Sequence, residues 1–215
     1  FMMLSLYAVH NPLQAPAALI NKYRNKQSVG GVQQQNRIAK DEPWMKSEAG
    51  WKRRLIQDNP VYAAMIENMD QNIGRLLEKL EQAGIGNNTL VIFTSDNGGL
   101  STAEGSPTVN GPLRAGKGWL YEGGIRVPLI VYWKGKTAAG KTVDIPVSST
   151  DIYPTRAKLI NPSFLKSPDQ EGESLFTLLE KPSRFSQRTQ YWYYPHYSNQ
   201  GGKPGAAIRD GRYKL

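Results

Sequence analysis

The sequence predicts an α/β fold, and three observations carry that prediction. Two short apolar, β-branched runs, residues 89–94 and 127–133, have the length and composition of buried strands of a parallel sheet. A long segment with helical periodicity precedes the first of them. Beyond Gly172 the composition turns aromatic and β-rich, as in "QYWYYPHY" and "AAIRDGRYKL", which suits a small antiparallel subdomain. The chain is therefore divided into an α/β core, residues 1–171, and the start of the antiparallel part, residues 172–215.

In chain order, residues 1–9 are nearly all apolar with Ser5 as the polar interruption, and they read as a strand entered partway through. It ends at His10-Asn11-Pro12, because proline has no N–H for a ladder. A buried strand at the very beginning points to a chain cut from something larger. Residues 21–54 carry nine basic and three acidic side chains and read as a solvated basic loop. From 61 to 83 the apolar residues Tyr62, Met65, Ile66, Met69, Ile73, Leu76, Leu77 and Leu80 recur at helical spacing, with Gly84 as the expected C-cap. Thr150-Asp151 caps a short helix running to about Ile160. Asp210-Gly211 signals a two-residue hairpin turn.

Among 215 residues, 27 Lys and Arg against 18 acids give a net charge of +9, which favours an anionic partner. The basic segment lacks the aromatic interleaving or recognition helix of a nucleic-acid surface, so no nucleic-acid partner is expected. With no cysteine, thiolate metal sites, disulfides and cysteine nucleophiles are excluded within the chain. No run of about 18 apolar residues exists, so no membrane span is expected, and the opening lacks the basic n-region of a signal peptide.

Ligands of α/β sheets gather beyond the carboxyl ends of strands, and His10 and Asp96-Asn97 both fall at such ends. Asp96 and Asn97 offer oxygens suited to a hard cation such as calcium, and Gly98-Gly99 turn the backbone away. An isolated Asp-Asn-Gly-Gly is more often a plain turn, and calcium needs about six to eight oxygens. Lys117, set between Gly116 and Gly118, is placed to meet an anion, or else to face solvent. Arg126 reads as a structural ion-pair former. An isolated histidine such as His10 is more often structural. For His196, in "YPHYSNQGG", a substrate contact and a contact within the small sheet both stay open.

The blocks "YAVHNPLQAP", "YAAMIENMDQNIGRLLEKLEQAGIGNNTLVIFTSDNGG", "GPLRAGKGWLYEGGIRVPLIVYW", "SSTDIYPT" and "WYYPHYSNQGGKPGAAIRDGRYKL" resemble, in this order, successive blocks of the sulfatase family, in its arylsulfatase and N-acetylhexosamine sulfatase branch. The resemblance implies an alkaline phosphatase-like mixed, mostly parallel sheet with flanking helices. It implies Asp96 and Asn97 as calcium ligands, Lys117 as the lysine on a sulfate oxygen and His10 as the histidine near the bridging ester oxygen. It also implies a sulfated small molecule or glycan as partner and export to bacterial periplasm or cell surface.

The resemblance further implies a formylglycine nucleophile, made from a Cys/Ser-x-Pro-x-Arg motif in the earlier part of the enzyme. A near match, "EKPSR", residues 180–184, has Glu where Cys or Ser is required. The expectation is a sulfatase fragment whose calcium shell is half present, whose nucleophile lies upstream, and which hydrolyses no sulfate ester by itself. A phosphate-ester hydrolase of the alkaline phosphatase superfamily and a non-catalytic sulfated-glycan-binding module are the alternatives. Asn87-Asn88-Thr89 is a glycosylation sequon between helix and strand, where a chance match is as common as a used one.

Overall fold

The computed structural model describes residues 1–29, 38–40, 52–185 and 187–215. Its elements are α1 (Ala17–Val29), β1 (Ile38–Lys40), β2 (Lys52–Arg54), α2 (Pro60–Gln82), β3 (Leu90–Thr94), α3 (Glu122–Ile125), β4 (Leu129–Trp133), α4 (Ile152–Ile160), α5 (Leu175–Glu180), β5 (Gln190–Tyr194), β6 (Gly205–Asp210) and β7 (Tyr213–Lys214). Strands β5, β6 and β7 form a three-stranded sheet in that order. The chain divides into two compact units, one of residues 1–134 and 192–206, the other of residues 135–191 and 207–215.

The predicted long helix is α2, and both of its ends have chemical causes. Asn59 Oδ1 accepts from the Val61 and Tyr62 N–H groups at 3.0 and 3.2 Å, with Pro60 at the first helical position. At the other end Gly84 takes φ +71°, its N–H reaches Glu81 O, and the Ile85 N–H reaches Leu80 O. That pair of bonds is a Schellman stop, which requires the left-handed residue that glycine supplies. The helix buries Tyr62, Ala64 and Met65 and packs against α1. Lys22 of α1 meets Glu67 of α2 at 2.7 Å.

Helix α1 corrects the loop reading of residues 21–54. Its apolar residues cluster at Ala17–Ile20 and give way to "NKYRNKQS", so no helical period marks it. Of the charges in that segment, Arg37, Lys46, Asp41, Glu42 and Glu48 lie outside the described residues.

Strands β3 and β4 fall where predicted but pair antiparallel, Leu90 opposite Trp133 and Thr94 opposite Leu129. The parallel arrangement expected of them needs a crossover that carries the chain back along the sheet. Here the connection, residues 95–128, contains only the four-residue α3 and stays at one end. Burial alternates along β4, with Ile130 and Tyr132 exposed, as a strand with one wet face requires. Residues 1–9 correct a second expectation. They form no strand, and Phe1, Met2, Met3 and Leu4 are exposed, because no described strand offers them a ladder.

In the second unit, Ser148 rather than Thr150 starts the α4 region, through a capping box with Asp151. Asp151 is fully buried and accepts from Ser148 N–H, Glu173 N–H and Arg188 Nη2 at 2.5 to 2.7 Å. The β6–β7 hairpin pairs Asp210 with Tyr213, so its turn is Gly211-Arg212, one residue beyond the predicted pair. No helix among the described residues is long and apolar enough to cross a membrane.

Candidate active site

All five candidate side chains lie in the first unit. His10 sits in a tight turn closed by its N–H on Tyr7 O at 2.9 Å. Its Nδ1 is 2.8 Å from Asn11 O, and a carbonyl oxygen can only accept, so Nδ1 carries the proton. Nε2 is then an acceptor, and Lys117 Nζ donates to it at 2.9 Å. Two residues 107 positions apart thus share one contact.

Lys117 is held by its backbone. Its N–H donates to Gly99 O at 3.1 Å, and that carbonyl also accepts from Asn110 Nδ2 at 2.8 Å. A Cβ on Gly116 would stand 2.2 Å from the same oxygen, so only glycine allows the two loops to close. Gly98 is under the same constraint, with a built Cβ 1.7 Å from Gly123 O. The Asp-Asn-Gly-Gly loop and the lysine loop therefore form one folded body. Asn110 braces it, accepting from the Gly99 N–H at 3.0 Å and donating to Ala115 O at 3.0 Å. Tyr62 packs beneath this body, and burial pushes its phenol pKa up while a hydrogen bond with Thr108 acts against the rise.

Asp96 and Asn97 follow β3 after Ser95. Asp96 is exposed, and its Oδ1 accepts from the Asn97 N–H at 3.0 Å. Asn97 Oδ1 is buried with no hydrogen-bond partner. Leaving such an oxygen unpaired costs about 1–3 kcal/mol, so it marks an acceptor awaiting a donor or a cation. The two residues fit part of a calcium shell: hard oxygens, one of them unsatisfied. Among the described residues no group of three or more His, Asp or Glu side chains completes it.

His196 lies in the 192–206 segment of the same unit. It is exposed and packs edge-on against Tyr194, with ring centroids 5.7 Å apart. Arg126 is 4.0 Å from Glu122 with its side chain 65% exposed, a weak ion pair. Arg114 stacks on Tyr121 at 4.0 Å.

Residues 1–162 match the Sulfatase family. The chain belongs to the sulfatase family. Residues 115–215 also match the family described as N-sulphoglucosamine sulphohydrolase, C-terminal. A sulfatase of Formosa agariphila is 38% identical over 77% of this chain and 32% of its own length. The crystal structure of Ps i-CgsB in complex with k-i-k-neocarrahexaose superposes with TM-score 0.69 at 30% identity, over 96% of this chain and 38% of that one. A protein solved with its substrate D-glucosamine-2-N,6-O-disulfate superposes with TM-score 0.57 at 28% identity, over 70% of this chain and 29% of its own. This sulfatase chain spans about a third of the length of these relatives. Its alkaline phosphatase-like α/β class, with a small antiparallel sheet near the C-terminus, is the class that the resemblance implied.

Sequence reading missed Asn110, Glu104 and Gln200, although each is tied into this region of the sulfatase. They are polar residues on irregular loops. Neither periodicity nor a chemical motif marks such positions, and only the fold brings them together.

Proposed function

We propose that the whole protein hydrolyses sulfate esters, and that this chain supplies the leaving-group and anion-holding side of its active site. The observation that carries the reading is the Lys117 Nζ to His10 Nε2 contact of 2.9 Å, with the buried, unpaired Asn97 Oδ1 two residues before the Gly99 carbonyl that holds the Lys117 backbone. When a sulfate ester arrives, the Lys117 ammonium turns to a sulfuryl oxygen as a compact charge. His10 Nε2 is then released to face the bridging oxygen and, once protonated, passes its proton to the departing alkoxide. Asn11 O holds the opposite ring nitrogen, so the imidazole keeps one orientation through this exchange.

Asp96 and Asn97 would hold calcium together with ligands from outside this chain. When bound, calcium supplies positive charge beside the sulfuryl oxygens. No Cys/Ser-x-Pro-x-Arg motif occurs in the 215 residues, so the formylglycine nucleophile is also assigned to sequence outside them, and the chain alone is expected to be inactive.

The substrate class proposed is a sulfated small molecule or glycan. It is supported by the net charge of +9 and by kinship with a protein whose substrate is a glucosamine disulfate. His196 is assigned to the rim of the pocket as a substrate contact. Export to a bacterial periplasm or cell surface is part of the same proposal, supported by the likeness to a sulfatase of Formosa agariphila. In the test, the whole protein and its Lys117→Ala and His10→Ala forms are assayed on a chromogenic aryl sulfate, a sulfated disaccharide and the matching phosphate esters. Sulfate-ester turnover that falls at least about 100-fold in both variants is expected. Turnover of phosphate esters alone, or variants as active as the parent, would reject the proposal.

A further inference from the structure

The loop of residues 101–108 is irregular yet largely buried at its base. Ser101, Thr102, Ala103, Ser106 and Thr108 are all buried. Arg54 Nε donates to Ser106 O at 2.7 Å, and Ser106 Oγ donates to Lys52 O. On this anchored base the backbone at Glu104 and Ser106 takes φ +52° and +46°, which is rare outside glycine. Such conformations are strained for residues other than glycine and persist where surrounding contacts over-determine them. The result here is one exposed carboxylate, Glu104, held in a fixed place.

Three side-chain amides converge on that carboxylate. Asn199 Nδ2 and Gln200 Nε2 donate to its Oε1 at 3.1 and 3.2 Å. Asn11 Nδ2 donates to its Oε2 at 3.3 Å and to the Glu104 backbone oxygen at 3.2 Å. A group that only accepts, with two oxygens, suits this set of donors, whereas an amide would turn its own N–H bonds toward one of them. Asn11 is also the residue whose carbonyl fixes His10 Nδ1. On the other side, Gln200 O accepts from Trp119 Nε1 at 2.9 Å and from Thr102 Oγ1 at 2.8 Å. Trp119 is two residues from Lys117. The bonds therefore run from His10 through Asn11, Glu104 and Gln200 to the Lys117 loop, and the Lys117–His10 contact closes the ring.

We propose that Glu104 is a positioning residue, which holds the His10 imidazole in its Nδ1–H form with Nε2 toward Lys117 by locking Asn11 to the 199–200 loop. The role rests on the reading of His10 and Lys117 as the ester-facing pair, but the bond network can be tested without turnover. These 215 residues hold two histidines, His10 and His196, and in the whole protein their imidazole nitrogen resonances are identified by the set that disappears in His10→Ala and the set that disappears in His196→Ala. In the parent, the His10 set is expected to show the Nδ1–H tautomer with a slowly exchanging proton. In Glu104→Gln that proton should exchange at least about tenfold faster and the Nε2–H tautomer should appear, with the His196 set unchanged. A His10 set identical to the parent's would overturn the proposal, whatever the enzyme does with sulfate esters.

Asn199→Ala removes one of the four bonds and should move the His10 set in the same direction by less. It decides the matter if Glu104→Gln does not fold, and no movement would again count against the role. In the active whole protein, Glu104→Gln should lower kcat about tenfold with KM within about threefold. Asn11→Ala in the Glu104→Gln background should cost far less than it does alone, because both act along one path. An effect confined to KM, or fully additive losses, would mean that Glu104 does not act through His10.

Discussion

Replacing Gly116 with alanine tests whether the closeness of two loops sets the position of the lysine. A Cβ at 116 would lie 2.2 Å from Gly99 O, 2.6 Å from Ser101 Oγ and 2.7 Å from Asn110 Nδ2. The first is a shortfall of about 1.2 Å against the 3.4 Å of ordinary contact, and it is against backbone, which cannot swing aside. A retreat of that size stretches the Lys117 N–H to Gly99 O bond from 3.1 Å to about 4 Å and breaks the Asn110 bond to the same oxygen. Two hydrogen bonds at about 1 kcal/mol each, plus the cost of a partly buried carbonyl left without donors, give a loss of about 2–4 kcal/mol. Displacing the Lys117 ammonium by about 1 Å adds a fall in kcat of about 100-fold. Urea unfolding reads the first quantity and steady-state kinetics of the whole protein the second. A loss of stability below about 0.5 kcal/mol with unchanged kcat would refute the reasoning.

Three further outcomes follow from the same structure. Gly74→Ala lies inside α2 with open space around the added carbon, so it should stabilise by about 0.5–1 kcal/mol, read as a rise in Tm. Asp151→Ala leaves Arg188 and two backbone N–H groups without their buried acceptor. It should cost about 3–5 kcal/mol by urea unfolding, with a second-unit signal lost first. Lys22 holds the Glu67 carboxyl below its ordinary 4.5. The contribution of that pair is therefore present above pH 4.5 and is lost as the pH falls through the lower folded value. Amide protection factors in α1, corrected for the intrinsic pH dependence of exchange, should fall on acidification in the parent and show no such step in Glu67→Gln.

How much of this was legible in the sequence depended on whether the cause was local. Helix α2 was readable because its apolar spacing, its Asn59-Pro60 entry and its Gly84 exit are all written within one segment. Strands β3 and β4 were readable as strands, but their relative direction was not, because it depends on how residues 95–128 return. Helix α1 carries no apolar stripe, and its stability comes from packing on α2, which no window of sequence displays. In the site, His10 was placed at the end of an expected strand that does not form among the described residues, and the ester-facing roles of His10 and Lys117 rested on the resemblance, because local sequence left both open. Glu104, Asn110 and Gln200 were not found, because their roles exist only as hydrogen bonds between segments 96 residues apart or within a glycine-lined turn.

The most direct test is a crystal structure of the whole protein with an uncleaved sulfated sugar bound. One sulfuryl oxygen within about 3 Å of Lys117 Nζ, and the bridging oxygen facing His10 Nε2 at a similar distance, is the result the account predicts. An ester seated away from both side chains, with His10 and Lys117 still joined to each other, would contradict it.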